Sequence, residues 1–155
     1  MAGVKGLGHV VLRVRELERS ESFYRDVLGM RVTARLGRRM SFLAAREGVS
    51  HEVALLALGP QAPGPDPQRV GLYHVAFQVD SLEELERFYA RLQAMGVPVV
   101  GIGDHGISVG VYFLDPDGNE IEVFYELPPE EWPRGGPLFA GRFPYPFPAG
   151  AEVRS

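Results

Sequence analysis

A segment near the start of this chain returns about halfway along it. Gly8-His9-Val10-Val11-Leu12-Arg13-Val14 has the pattern of Tyr73-His74-Val75-Ala76-Phe77-Gln78-Val79, at an offset of 74 − 9 = 65. The offset persists downstream, where Leu17/Leu82, Phe23/Phe88, Tyr24/Tyr89, Met30/Met95 and Val32/Val97 pair under it. A duplicated unit constrains the fold strongly, because the elements formed by one copy are expected in the other.

Periodicity supplies those elements. Residues 7–14 alternate around Val and Leu and read as a strand. Over 17–28, Leu17, Tyr24, Val27 and Leu28 fall at helical spacing, and Gly29 follows as a stop. Three short strands are expected near 31–36, 39–45 and 50–58, with Gly37 and Gly48 in the breaks. Residues 59–71 carry Pro60, Pro63, Pro65 and Pro67 and read as a linker. The second copy starts at Leu72. Ser81-x-x-Glu84 is a capping box opening a helix, whose stripe is Leu82, Leu85, Phe88, Tyr89, Leu92 and Met95. Gly96 and Pro98 end it, and strands follow near 97–102, 109–114 and 119–126. The last two are joined by the turn Asp115-Pro116-Asp117-Gly118.

The expected fold class is therefore α+β: two βαβββ repeats, 7–58 and 72–126, forming one module with a curved, mostly antiparallel sheet around a metal site. Residues 1–127 make up that domain. Beyond Leu127, seven prolines fall in 128–148 among Trp132, Phe139, Phe143, Tyr145 and Phe147. Residues 128–155 read as an extended arm lying over the body of the protein or a partner subunit.

Composition limits the chemistry. At 155 residues, 45% hydrophobic and 23% charged, the chain can bury a core without covalent staples. There is no cysteine, which excludes disulfides, thiolate nucleophiles and Cys-based zinc sites. Any metal must be held by imidazole, carboxylate or carbonyl oxygen, a donor set suited to Fe, Mn, Zn or Ni. The formal charge of −4 argues against nucleic acid as a partner, since that role needs a basic face. Arg35-Leu36-Gly37-Arg38-Arg39, the densest basic stretch, reads as a solvated hairpin. No run approaches the roughly 20 apolar residues of a membrane span, and the N-terminus lacks a signal-peptide pattern. A cytoplasmic protein with no membrane partner is expected.

His9 and His74 occupy the same position in the two copies, and Glu122 sits in the strand closing the second. Two imidazoles and one carboxylate, meeting where the copies meet, would leave coordination positions open for substrate and O2, as in non-haem Fe(II) oxygenases. Strand parity permits this. His9 shares a face with Val11 and Arg13, His74 with Ala76 and Gln78, and Glu122 with Glu120 and Phe124, each opposite an apolar face suited to a helix. Glu120 is a rival ligand on the same face as Glu122. If Asp115 pairs with Asn119, then Tyr112 lies opposite Glu122, because both pairs sum to 234, and directly opposed residues share a face. His51 begins an apolar run in which parity leaves open whether His51 or Glu52 faces the cavity. His105 lies in a loop leading into the Tyr112 strand.

On these residues the chain resembles the vicinal oxygen chelate superfamily, and within it the type I extradiol catechol dioxygenases. The resemblance covers residues 7–126. The superfamily's two-His-one-Glu pattern matches His9, His74 and Glu122, and Asp115-Pro116-Asp117-Gly118-Asn119-Glu120-Ile121-Glu122 looks like its last hairpin. Three further segments are similar to the dioxygenases: Ser50-His51-Glu52-Val53-Ala54-Leu55, His105-Gly106-Ile107-Ser108, and Tyr112 ten residues before the ligand glutamate. Val11 stands where some members have an asparagine, and many members carry two modules of this kind.

The resemblance implies His9, His74 and Glu122 as metal ligands and His51, Tyr112 and His105 as catalytic residues. It implies Fe(II) as the metal, with Mn(II), Zn(II), Ni(II) or Co(II) as alternatives. The reaction implied is O2-dependent cleavage of a catechol-type aromatic diol. His51 would take and return a proton, a duty suited to an imidazole's ordinary titration range. Tyr112 and His105 would hydrogen-bond the substrate oxygens. A homodimer or higher homo-oligomer is the expected assembly. Two other readings use the same scaffold: a glyoxalase-like lyase, antibiotic-modifying thiol transferase or epimerase, and a metal-free small-molecule-binding protein.

Overall fold

The structure, a computed structural model, describes residues 3–141. Its elements run β1 (Val10–Val14), α1 (Leu17–Asp26), β2 (Arg31–Leu36), β3 (Met40–Ala44), β4 (Val53–Ala57), β5 (His74–Gln78), α2 (Leu82–Ala94), β6 (Val99–Asp104), β7 (Ser108–Leu114) and β8 (Glu120–Glu126), then one 3-10 turn, Pro129–Glu131. The two βαβββ repeats expected from the duplication are both present. The chain divides into two compact units between Pro65 and Asp66, inside a stretch with no regular structure. Each unit holds one repeat and its own four-stranded sheet, ordered β1-β4-β3-β2 in the first and β5-β8-β7-β6 in the second. In each sheet the first strand pairs parallel with the last, and the other two pairings are antiparallel.

In the first unit, alternation puts Leu12, Val14, Ser41, Leu43, Val53 and Leu55 on one buried face of the sheet. Helix α1 covers it with Leu17, Ser20, Glu21 and Tyr24. Full burial of a Leu- or Val-sized side chain contributes roughly 1.5–3 kcal/mol, so this face decides the packing more than local propensity does. Glu21 is the polar residue the apolar stripe did not anticipate. Its carboxylate accepts Arg35 Nη2–H at 2.6 Å, Arg35 Nε–H at 2.9 Å and the Ser41 hydroxyl at 2.6 Å. The Arg35 hydrogen bond holds the Glu21 carboxyl below its ordinary value, against the opposing effect of burial. Thus the basic hairpin is only partly free: Arg38 and Arg39 are exposed at the Gly37 turn, while Arg35 reaches back to the helix.

In the second unit, α2 begins as its sequence dictates. Ser81 Oγ accepts the Glu84 N–H at 3.2 Å, and Glu84 Oε2 accepts the Asp80 N–H at 3.0 Å. Leu85, Phe88, Tyr89 and Leu92 are buried, whereas Met95, at the end of the expected stripe, is half exposed. The Phe88 and Phe113 rings meet at 5.6 Å between the helix and β7, and Ile102, Val111, Ile121 and Val123 complete the core.

Two expected strands are shorter than their periodicity suggests. The strand expected over 7–14 begins at Val10, and the one expected over 50–58 begins at Val53, for one shared reason. Val10 is paired with Val53, and the Glu52 side chain turns away to accept the Ala45 and Arg46 amides at 2.8 and 3.0 Å. The Glu52 backbone makes the end bonds on both sides, its carbonyl accepting the Val10 N–H and its N–H donating to the Leu43 carbonyl, and the paired strands begin from there. The segment 128–155 is described only to residue 141. There it forms the 3-10 turn, and an isolated antiparallel bridge joins Phe139 to Gly106. Phe143, Tyr145 and Phe147 lie outside the described residues.

Candidate functional site

The final hairpin sets the register on which the second unit's polar cluster depends. Asp115 Oδ1 accepts the Asp117 and Asn119 amides at 2.9 and 2.8 Å, Asp115 Oδ2 accepts the Asn119 side-chain amide at 2.8 Å, and Gly118 takes the left-handed conformation at φ 88°. The Asp115 N–H donates to the Asn119 carbonyl, and from that closure the ladder runs without a slip to Tyr112 opposite Glu122. This is the pairing expected from the sequence. On the other side of β8, the parallel register pairs His74 with Glu120 and Ala76 with Glu122. His74, Glu120, Glu122 and Tyr112 therefore share the face turned away from α2.

The side chains on that face are hydrogen-bonded in series. Tyr112 O–H donates to Glu122 Oε1 at 2.8 Å, and His105 Nε2 lies 2.7 Å from the Tyr112 oxygen. The phenol has one proton and gives it to Glu122, so His105 Nε2–H is the donor in the second bond. Glu122 Oε2 is 3.1 Å from His74 Nε2, and Glu120 Oε1 is 3.8 Å from His74 Nδ1. Burial pushes the Tyr112 phenol well above its ordinary value, and the hydrogen bond to Glu122 and the charges of Glu122 and Glu120 act in the same direction. Tyr112 thus keeps its proton and remains a donor. Burial also raises Glu120; the neighbouring His74 opposes this and the Glu122 charge adds to it.

Space for Glu122 comes from a residue that sequence reasoning passed over. A Cβ on Gly110 would overlap Glu122 Oε1 and lie 3.1 Å from its Cδ. The signal was available: a glycine inside an otherwise apolar strand marks a place where something approaches the backbone closely.

In the first unit, the rings of His9 and His51 lie 4.3 Å apart, and His51 meets Phe42 edge-on at 5.2 Å. His51 Nδ1 bonds Ser50 Oγ at 3.0 Å with its ring beside His9, while Glu52 is taken up by the Ala45 and Arg46 amides and the Arg46 guanidinium. Burial works against the Glu52 charge, but those bonds outweigh it and hold the carboxyl below its ordinary value. The six residues nominated from the sequence thus fall into two clusters, His9 with His51 in one unit and His74, His105, Tyr112 and Glu122 in the other.

The donor set fits a divalent cation. Glu122 has a carboxylate side chain only 9% exposed, and it faces an imidazole and a phenol rather than a guanidinium or ammonium. His74 Nδ1 is buried with no hydrogen-bond partner among the described residues, although a bare buried polar atom costs about 1–3 kcal/mol. Nitrogen and carboxylate oxygen without thiolate suit first-row divalent metals. Among the described residues no group of three or more His, Asp or Glu is gathered into a ready-made metal cluster. No helix among them is long and apolar enough to cross a membrane.

Comparison with known proteins shows the family and the fold. A model of the Glyoxalase/Bleomycin resistance protein/Dioxygenase superfamily matches residues 6–123. The chain is 36% identical over 129 residues to a catechol-2,3-dioxygenase of Bacillus subtilis (strain 168), covering 83% of this chain and 44% of the relative. It is 37% identical over 119 residues to biphenyl-2,3-diol 1,2-dioxygenase 3 of Rhodococcus globerulus, covering 76% and 61% respectively. The chain thus spans less than two thirds of the length of these relatives. Among solved structures, a glyoxylase/bleomycin resistance protein/dioxygenase domain from Frankia sp. EAN1pec superposes with a TM-score of 0.68 at 25% identity, over 80% of this chain and 99% of that one.

Proposed function

This chain belongs to the Glyoxalase/Bleomycin resistance protein/Dioxygenase superfamily, and from that membership we propose that it is an extradiol dioxygenase, opening the ring of a catechol-type aromatic diol with O2. In this reading His9, His74 and Glu122 are the ligands of a divalent cation, Fe(II) by preference. The observation that carries the reading is the hydrogen-bonded series His105–Tyr112–Glu122–His74, formed by residues of a chain 36% identical to a catechol-2,3-dioxygenase.

When bound, the cation supplies a positive charge that eases ionisation of the diol, together with open positions for diol and O2. The chain's own residues do the rest. Glu122 contributes negative charge and a fixed direction: Tyr112 holds Oε1, which leaves Oε2 on the His74 side. Tyr112, kept protonated, commits its one proton to Glu122, and His105 limits the phenol's rotation through the bond to its oxygen. His51, whose Nδ1 is engaged by Ser50, has Nε2 as the nitrogen that takes a proton from a diol hydroxyl and later returns one to the product.

The test is Fe(II) loading under anaerobic conditions, followed by a panel of catechols in air with O2 uptake recorded. Uptake matched to ring-fission product supports the reading. Full metal loading with no uptake on any diol rejects it, and turnover that consumes no O2 would assign the lyase or transferase chemistry of the same scaffold. His51→Phe is expected to retain metal and lose about 10²-fold in turnover.

A further inference from the structure

His105 reaches Tyr112 from the turn between β6 and β7. The His105 N–H donates to the Ser108 carbonyl at 2.8 Å, and the Gly106 N–H to Asp104 Oδ1 at 2.7 Å, with Gly106 at φ 88°. Connecting turns of this kind ordinarily lie at the surface and move more than the strands they join. A ring that must stay 2.7 Å from a phenol oxygen needs firmer support.

Such support comes from beyond the part of the chain that matches the family, which ends at residue 123. The root of the arm is tied to the turn where the Leu127 N–H donates to the Ile107 carbonyl at 2.7 Å, and Trp132 Nε1–H closes back onto the Leu127 carbonyl at 2.7 Å. Further along, Phe139 pairs with Gly106 in an antiparallel bridge. The two backbones come close enough that a Cβ on Gly106 would lie 3.3 Å from the Ala140 nitrogen, and a Cβ on Gly141 would overlap the Asp104 carbonyl and the His105 Cα. A glycine on each side of the contact permits this approach. The turn is held at Ile107 from one side and at Gly106 from the other, with His105 beside both.

We infer that residues 138–141 form a strap that positions His105, and through it the Tyr112 phenol, for the reaction proposed above. They are positioning residues: the strap sets the backbone from which the His105 ring meets Tyr112. Its role in turnover rests on that proposed function, whereas its hold on the turn does not.

Gly141→Ala tests the strap in the full-length chain, with Gly135→Ala as the control, because a Cβ on Gly135 meets nothing within 4 Å. Hydrogen exchange by NMR is the first readout and requires neither metal nor diol. Gly141→Ala is expected to speed exchange of the His105 amide by about tenfold or more while the α2 amides stay unchanged, and Gly135→Ala should leave both alone. The second readout is a double-mutant cycle on diol turnover: Gly141→Ala lowers kcat in the natural chain but adds nothing in a Tyr112→Phe background. Equal exchange at His105 in the two glycine variants overturns the strap, as does loosening that extends to α2. Faster exchange confined to the turn, in a protein that turns over no diol, upholds the strap and rejects the proposed function.

Discussion

In the first repeat Phe42 stands opposite Ala54 on β4, and Val11 of β1 pairs with the same alanine. At the equivalent place in the second repeat Tyr112 stands opposite Glu122, and Ala76 pairs with that glutamate. One ladder further along, Met40 of the first repeat corresponds to Gly110 of the second. The two copies thus share strand order and helix placement, yet at these positions the sheet face turned away from the helix is apolar in one and carries a buried carboxylate in the other. The backbone scaffold is common property; at these places the copies differ in three side chains, Ala54 against Glu122, Phe42 against Tyr112 and Met40 against Gly110. The polar investment of the first repeat went elsewhere, into Glu21 on its helix, where the second repeat has Glu86, exposed to an intermediate degree.

Reversing those differences tests how much each matters. Glu122→Ala recreates the Ala54 situation and has the largest expected effect: divalent-metal affinity falls by more than about 100-fold, since loss of a partner of a ligand already costs 10–100-fold. Calorimetric titration with Fe(II) or Mn(II) reads this directly, and unchanged affinity would remove Glu122 from the ligand set. Gly110→Ala is next. Its methyl group would displace the Glu122 carboxylate, so metal affinity should fall about 10–100-fold while the far-ultraviolet circular dichroism is retained. A Gly110→Ala protein that binds metal normally would show that the carboxylate has room to move. Tyr112→Phe recreates Phe42 and should keep the metal while lowering kcat about tenfold, the scale of one lost hydrogen bond to a charged group.

The smallest effect is expected in the first repeat. Glu21→Gln should cost about 1 kcal/mol of stability at neutral pH, chiefly through the buried bond from Ser41. The Arg35 bond lowers the Glu21 carboxyl in the folded state, so its stabilisation is present above the ordinary carboxylate range and is lost as pH falls through the folded value. The stability gap between Glu21→Gln and the natural chain, measured by urea unfolding, should therefore be widest near pH 7 and close on acidification. A gap that widens in acid would contradict the assignment.

Much of this was legible before any coordinates. The 65-residue offset located both histidines, the Ser81–Glu84 box located the start of α2, and Asp115 to Asn119 fixed the register that brings Tyr112 to Glu122. These features are local, carried by periodicity, capping and turn chemistry within a few residues. What escaped notice depends on contacts between residues distant in sequence. Glu21 reads as a solvent-facing residue until Ser41 and Arg35 are seen to meet it. His51 and Glu52 could not be assigned to faces because the strand whose parity would decide the matter begins only at Val53. Gly110 marks a close approach to the backbone, but what approaches it, Glu122, lies on the neighbouring strand.

That glycine couples two positions in heredity as well as in space. Residues 110 and 122 lie on neighbouring strands, and an ordinary single-base change at 110 gives a side chain that intrudes on the carboxylate. Bulk there is tolerable only if residue 122 is short, as in the first repeat, where Met40 and Ala54 stand at the corresponding places. Descendants that keep the acid should therefore keep position 110 free of bulk, and lineages that lose one should be found to have released the other.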